Sequence, residues 1–429
     1  MSWRTVPLHK VASLESGFGF PREYQGDENQ EFPFFRVSDM NIAGNEVLME
    51  NHSNTVTAAI LKELGARAFP AGTVIFPKIG AAIATEKKRI LTKPATYDNN
   101  VMGAVPKAGT NPKFLYYWFL QLKLSDQANP GHVPSIRKSV MEEILFPVVA
   151  PSEQFRIVEL LDEADRLRRL RREADAKAAR ILPVLFLMMF GDPATNPKGL
   201  SVKLLGDPVV CDINPRTRVG LADSDLVSFV PMADVDEHLG RITGGQSRPY
   251  GEVKRGFTPF QERDVLFAKI TPCMQNGKAA IASGLIGGIG FGSTEFHVLR
   301  AGSDVTPEYL FALVRLQSFR NHAMSAFTGS AGQQRVPTEF LRQFRLPVPT
   351  STDLQKFSSA INHLLACQIE AEHAADKLEA QFQLLLQLAF SGQLTAKWRE
   401  GHMQELLAEM ARQACALNLQ VPIELEALS

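Results

Sequence analysis

Residues Pro151 to Asp192 read PSEQFRIVELLDEADRLRRLRREADAKAARILPVLFLMMFGD, and their apolar spacing decides how the chain is built. Counting from Ile157 in alternating steps of three and four gives Leu160, Ala164, Leu167, Arg171, Ala174, Ala178, Ile181, Leu185 and Met188. All of these but Arg171 are apolar, and charge fills most of the gaps between them. Alternation sustained over more than four heptads predicts a coiled-coil helix with an a/d seam. About 32 residues at ~1.5 Å each make a rod of roughly 48 Å. In mid-chain, such a rod holds two flanking regions apart.

The two flanks repeat one another. Val74-Ile75-Phe76-Pro77-Lys78-Ile79 returns as Val265-Leu266-Phe267-Ala268-Lys269-Ile270, and Lys113-Phe114-Leu115-Tyr116 as Glu308-Tyr309-Leu310-Phe311. Leu145-Phe146-Pro147-Val148 returns as Arg345-Leu346-Pro347-Val348, and Phe190-Gly191-Asp192 as Phe390-Ser391-Gly392. The offsets of these pairs run from 191 to 200 residues, which marks a duplicated unit of lobe plus rod. The second rod has its own seam: Phe357, Ile361, Leu364, Gln368, Ala371, Ala375, Leu378, Phe382, Leu385 and Ala389. Each rod needs a partner for its seam, and antiparallel pairing of the two satisfies both. Arg171 and Gln368 are the polar exceptions, suited either to fixing register or to reaching solvent.

The expected fold is α+β: two similar mixed α/β lobes separated by two long helices in an antiparallel coiled coil, with pseudo-two-fold duplication. The first lobe spans 1–150 and the first rod 151–192. The second lobe spans 193–350, the second rod 351–395 and an acidic tail 396–429. Within the first lobe, Phe32 to Asp39 and Thr73 to Ile79 read as buried strands bounded by Pro, Gly and Asn. Pro112 to Leu124 reads as a helix with proline in its first turn, and Ile144 to Val149 as a last strand. In the tail, Met403 to Leu417 reads as a short amphipathic helix lying on the surface or against a partner.

Composition limits the function. Charged residues make up 21% and no apolar run approaches the ~20 residues of a membrane helix, which predicts a globular protein without a membrane span. The N-terminus reads as having no signal peptide, and the four scattered cysteines show no CxxC spacing, so a reducing, cytoplasmic setting is expected. Net charge is zero, but it is unevenly divided. Residues 1–149 carry 16 basic and 14 acidic side chains, 196–349 carry 17 and 14, and 350–429 carry 5 and 10. Both lobes are mildly basic. Two similar lobes suit a target with two similar features, and DNA half-sites about one helical turn apart are such a target.

The ordered set of motifs resembles the specificity subunit of a type I restriction–modification enzyme. The carriers are GTVIFPKIGAAIA with its partner RDVLFAKITPCMQNGKAAIA, GSTEFHVLRA, and the loop-strand-helix stretches GHVPSIRKSVMEEILFPVVAPSEQFRIVELLD and GSAGQQRVPTEFLRQFRLPVPTSTDLQKF. The junctions FGDPATNPKG and AFSGQLTAKWR complete the set, which covers nearly the whole chain. The resemblance implies a non-catalytic subunit in which each lobe, a target-recognition domain, reads half of a bipartite, asymmetric site in double-stranded DNA. The helices would act as a ruler and dock two methyltransferase (M) subunits, with restriction/translocase (R) subunits joining later in a prokaryotic cytoplasm. This chain would hold no cofactor. The assembled complex would use S-adenosylmethionine, ATP and Mg²⁺ for adenine methylation and cleavage. A self-sufficient DNA methyltransferase or nuclease, and a coiled-coil protein-interaction scaffold, are the alternatives.

Candidate DNA contacts are residue types that match base edges or phosphates. In the first lobe these are Lys78, Thr85, Lys87, Lys88, Arg89, Asn99 and Asn100, with Arg137 and Lys138 in the loop 135–138. In the second they are Lys269, Gln275, Asn276, Lys278, Ser293 and Thr294, with Gln333, Gln334 and Arg335 in the loop 332–335, which the duplication pairs with 135–138. Other motifs are set aside. Gly287 to Gly292 does not lie between a strand and a long helix, as an adenosylmethionine loop requires. There is no Asn-Pro-Pro-Tyr, GxxxxGK[ST] or HExxH, and no metal-ligand spacing among the nine histidines. Glu252-Val253-Lys254 lacks the acidic partner of a nuclease motif, and His297 reads as a packed residue.

Overall fold

The computed structural model describes residues 3–217, 220–330, 333–417 and 419. Two compact units emerge, Met1–Arg169 with Lys377–Ser429, and Leu170–Asp376. Each long helix therefore contributes to both units, a division that lobe and rod boundaries in the sequence do not suggest.

In the first unit a five-stranded sheet runs in the order Ala12–Ser16, Val101–Pro106, Val74–Pro77, Arg89–Leu91, Leu48–Met49. Val74–Pro77 is central and wholly buried, because its apolar run faces core on both sides. The strand expected to reach Asp39 stops at Phe35. A 3-10 turn over Val37–Asn41 comes next, closed by the Asp39 carboxylate on the Arg36 N–H at 2.7 Å. The helix Pro112–Gln121 begins where Asn111 accepts from the N–H groups of Lys113 and Phe114, and its aromatic face fills the core.

That core is completed from far away in sequence. Ile157, Val158 and Leu161 of the first long helix (Pro151–Ala178) pack with Phe382, Leu386 and Ala389 of the second (Ser351–Phe390). The pairing is antiparallel: Arg168 binds Glu379, while Glu153, at the other end, accepts from Thr395 Oγ1 at 2.6 Å and Arg399 Nε at 2.8 Å. The tail is no loose appendage. Its helix Met403–Ala416 buries Leu406, Ala411 and Ala414, and Gln413 donates to the Gly109 carbonyl at 2.9 Å.

The second unit repeats the sheet with Cys211–Ile213, Phe296–Ala301, Val265–Ala268 and Ala279–Ile281. Val265–Ala268 again lies inside and fully buried, as the repeat predicts. A second four-stranded sheet contains Ile289–Gly292, the end of the glycine run. Gly290 sits there because a Cβ would meet the Phe260 ring at 2.3 Å. The first rod breaks after Ala178, and Ile181–Phe190 continues it as a separate helix. Phe186 stacks on Tyr309 and meets Phe357 edge to face, and Phe190 meets both rings edge to face, which closes this core.

The second rod's seam lies where the sequence places it, with Ile361, Phe382 and Ala389 buried and Leu364, Gln368, Leu378 and Leu385 half-buried. The first rod's seam is corrected at every second position. Ile157, Ala164, Arg171 and Leu185 face inward, but Leu167, Ile181 and Met188 are 42%, 47% and 69% exposed. Leu161, Arg168, Asp175 and Leu182 take their places, and Leu161 displaces Leu160 from the centre of the stripe. Choosing the most apolar phase pointed to the wrong stripe, because the true seam is polar in its middle. Leu161→Ala and Leu182→Ala should each cost about 3 kcal/mol, and Leu160→Ala and Ile181→Ala less than about 1 kcal/mol, read from thermal or urea unfolding.

Candidate nucleic-acid interface

In both units a buried strand delivers a lysine to one sheet end, where two loops meet it. In the first unit Lys78 comes directly after Val74–Pro77. Its N–H donates to the Asn100 carbonyl at 2.8 Å, and its own carbonyl accepts from the Ile136 N–H at 2.9 Å. Ile79 pairs with Ser135, and Lys78 Nζ donates to Ser16 Oγ at 2.9 Å. Lys78, Asn99, Asn100 and the start of the loop 135–138 thus share one edge with Ser16. Burial lowers the Lys78 pKa, against the opposing pull of Asp98. Asp98 itself is buried and raised by desolvation. It accepts the Asn100 N–H at 3.0 Å, which fixes the turn that exposes Asn99.

The second unit repeats this framework bond for bond. The Lys269 N–H donates to the Glu295 carbonyl at 2.9 Å, and the Lys269 carbonyl accepts from the Val336 N–H at 2.9 Å. Ile270 pairs with Arg335, and Ser293 Oγ accepts the Glu295 N–H at 3.2 Å. The structural equivalents are therefore Asn100 with Glu295, Ser135 with Arg335 and Ile136 with Val336. The sequence pairing of 135–138 with 332–335 is out by three residues, and Gly332 lies outside the described residues. Arg335 forms a double hydrogen bond with Glu295, Nε and one terminal nitrogen each at 2.9 Å, and also donates to the Gln333 carbonyl at 3.0 Å. Arg335 holds the Glu295 carboxyl below its ordinary range against the opposing effect of burial.

Beside this edge is a cavity of about 250 Å³ lined by Asn214, Lys269, Thr294, His297 and Thr338 among others. His297 is a packed residue, as its sequence context suggests. Its Nε2 lies 2.8 Å from the Val336 carbonyl and its Nδ1 3.2 Å from Asn214 Nδ2, an arrangement met by neutral imidazole with the proton on Nε2. Burial lowers its pKa.

Other expected contacts are engaged in holding the fold. Lys88 is 3% exposed, pairs with Glu86 at 2.8 Å and donates to the Leu122 carbonyl at 2.9 Å. Arg89 spends its terminal nitrogens on the Lys88 and Met40 carbonyls, and Lys278 donates to the Met232 carbonyl at 3.2 Å. Lys87 binds Asn41, while Thr85 is exposed with its hydroxyl on the Ala82 carbonyl at 2.6 Å. Gln275 and Asn276 are exposed on the loop after Lys269, held by Arg320 and by Glu237. Arg137 and Lys138 are exposed, Lys138 within 3.7 Å of Glu142. Ser16 and Asn214 join the edges without having been singled out, because both are remote in sequence from the loops they meet, while Glu295 stands at the end of the candidate stretch 293–295. Among the described residues no cluster of His, Cys, Asp and Glu is arranged to hold a metal, and no helix is long and apolar enough to cross a membrane.

The two units thus present similar sheet ends, each with a lysine and with amides or an arginine on paired loops. Residues 2–177 match the family described as the type I restriction modification DNA specificity domain. The chain is similar to the EcoEI specificity subunit of Escherichia coli, 33% identical over 205 residues covering 47% of this chain and 34% of that protein. It is also similar to the EcoAI specificity subunit of Escherichia coli, 35% identical over 178 residues covering 41% and 30% respectively. The matched stretches thus span about a third of those relatives. A solved structure described as the "Structural basis underlying complex assembly and conformational transition of the type I R-M system" shares the fold. Its TM-score is 0.56 at 15% identity, over 92% of this chain and 98% of that one.

Two outcomes separate contact from support. Lys269→Ala and Arg137→Ala should each lower the slope of log affinity against log salt by about 1 in DNA titrations, whereas Lys88→Met should leave the slope unchanged and destabilise the first unit by about 1–3 kcal/mol. The second outcome concerns acid. Burial opposes ionisation of Glu86, but bonds from Lys88 and from the Leu124 and Ser125 N–H groups outweigh it and bring its pKa from 4.5 to about 2. Its stabilisation is therefore present above pH ~4.5 and lost as pH falls toward 2, a dependence that Glu86→Gln should remove from the pH–stability curve.

Proposed function

We propose that this chain is the non-catalytic DNA-specificity subunit of a type I restriction–modification complex, each unit reading one half of a bipartite, asymmetric site. The observation that carries this reading is the framework common to both sheet ends, built on Lys78 and Lys269 with different side chains around it. The specificity-domain match over residues 2–177, which contain the first of the two sheet ends, supports it. In this reading the long helices set the distance between half-sites. The exposed stripe Ile181, Val184, Leu187 and Met188 supplies apolar surface for methyltransferase (M) subunits. Restriction/translocase (R) subunits join that assembly, in the cytoplasm. S-adenosylmethionine, ATP and Mg²⁺ serve the partner subunits, and adenine methylation and DNA cleavage take place there.

Methylation sequencing of host DNA with and without this gene, its methyltransferase partner intact, tests the proposal. Methylation at a split, asymmetric motif should disappear with the gene, and a heptad added to each long helix should lengthen the gap between the half-motifs. An unaltered methylation pattern would favour the scaffold reading, and methylation by the purified chain alone would favour a self-sufficient enzyme.

A further inference from the structure

The equivalence of the two sheet ends identifies the positions at which their targets diverge. Backbone bonds hold Asn100 and Ser135 in the first unit where Glu295 and Arg335 stand in the second. The framework is constant and the side chains are not. The first pair is short and polar, and Asn100 Nδ2 donates to Asp98 Oδ2 at 3.4 Å. The second pair is long and charged, and its two members are joined by a double hydrogen bond.

Arg335 has five N–H groups. Nε and one terminal nitrogen each give one to Glu295, and the other terminal nitrogen gives one to the Gln333 carbonyl. Among the described residues this leaves one N–H on each terminal nitrogen, the number that a paired contact with guanine O6 and N7 takes. The guanidinium plane is fixed by three bonds before any ligand arrives, so little side-chain freedom remains to be lost on binding. Yet the side chain keeps 39% of its surface exposed and remains reachable.

A phosphate is the poorer ligand. The Glu295 carboxylate beside the guanidinium repels a phosphate oxygen and cancels most of the local positive charge, while a neutral base edge suffers no such repulsion. Lys269, one strand position from Ile270, is the better phosphate partner at this edge.

We propose that Arg335, positioned by Glu295, reads a guanine in the half-site of the second unit, and that the equivalent pair Asn100 and Ser135 makes no such contact in the other half. This rests on the specificity-subunit reading and adds to it one base, in one named half.

The test is methylation sequencing with the assembled methyltransferase, comparing the wild-type subunit with Arg335→Ala, Arg335→Lys and Glu295→Ala. Wild type should modify a split motif with an invariant guanine in one half. Arg335→Ala should reduce preference for that guanine by roughly 10–100-fold while leaving the other half-motif intact, which also reports that the subunit folds and assembles. Arg335→Lys should fail in the same way, because an ammonium keeps the charge but lacks the planar fork that bonds Glu295 on one side and faces a base with the other. Glu295→Ala should weaken preference at the same position alone. Rescue by lysine, or an even loss across all sequences, would make Arg335 a phosphate contact and overturn the inference. An unchanged motif in Arg335→Ala would overturn it too, leaving the specificity reading standing. Absence of a split motif in wild type would remove the reading and the inference together.

Discussion

Each unit depends on antiparallel packing between two helical segments far apart in sequence. The second long helix buries Phe357 and Ile361 in one core and Phe382, Leu386 and Ala389 in the other. The sheet ends are rigid only insofar as those cores are closed. In the first unit Glu153, buried with Thr395 and bonded to the half-buried Arg399, fixes the point where the returning chain meets the start of the first long helix. Removing one member of such a group leaves the other charge buried without its partner, which costs far more than the pair contributes. Recognition residues in loops can vary widely over a scaffold held this way.

The backbone at the two sheet ends shows what such variation requires. The lysine after the central strand bonds through its amide and carbonyl to two separate loops, and a short polar turn (Asp98 to Asn100, Ser293 to Glu295) is capped by its own first side chain. None of these bonds uses the side chains of Asn100, Ser135, Glu295 or Arg335, since the caps come from Asp98 and Ser293. Side chains projecting from a fixed backbone can be exchanged without moving it, which is the condition for one fold to carry different specificities.

The sequence reveals this arrangement unevenly. Repeats such as Val74 to Ile79 and Val265 to Ile270 are apolar runs with a single placement, the middle of a sheet, and they are found there. The second rod's phase is legible because Phe357, Ile361, Phe382 and Ala389 are both apolar and buried. Lys88 is not: a run of Lys-Lys-Arg looks like solvated surface, and nothing local announces that Glu86 and the Leu122 carbonyl draw one lysine into the core. The loop register is hidden for a different reason. Ser135 and Arg335 share no chemistry, and only the backbone bonds of Ile136 and Val336 align them.

The phase error in the first rod points to the most informative part of the seam. Counting apolar residues favours Leu160, Leu167 and Ile181, yet the inward stripe passes through Arg168, Arg171 and Asp175. In the first unit the Arg168 guanidinium lies 3.9 Å from the Phe382 ring centroid and bonds to Asp165 and Glu379. In the second, Arg171 pairs with Asp175. An apolar stripe can slide by a heptad at small cost, since one leucine replaces another. An arginine stacked on one ring and bonded to one glutamate cannot, because a shifted register strands its charge in the seam. The polar centre therefore gives up packing energy and gains a single register, the quantity that has to be kept under the proposal that these helices set the spacing of a DNA target.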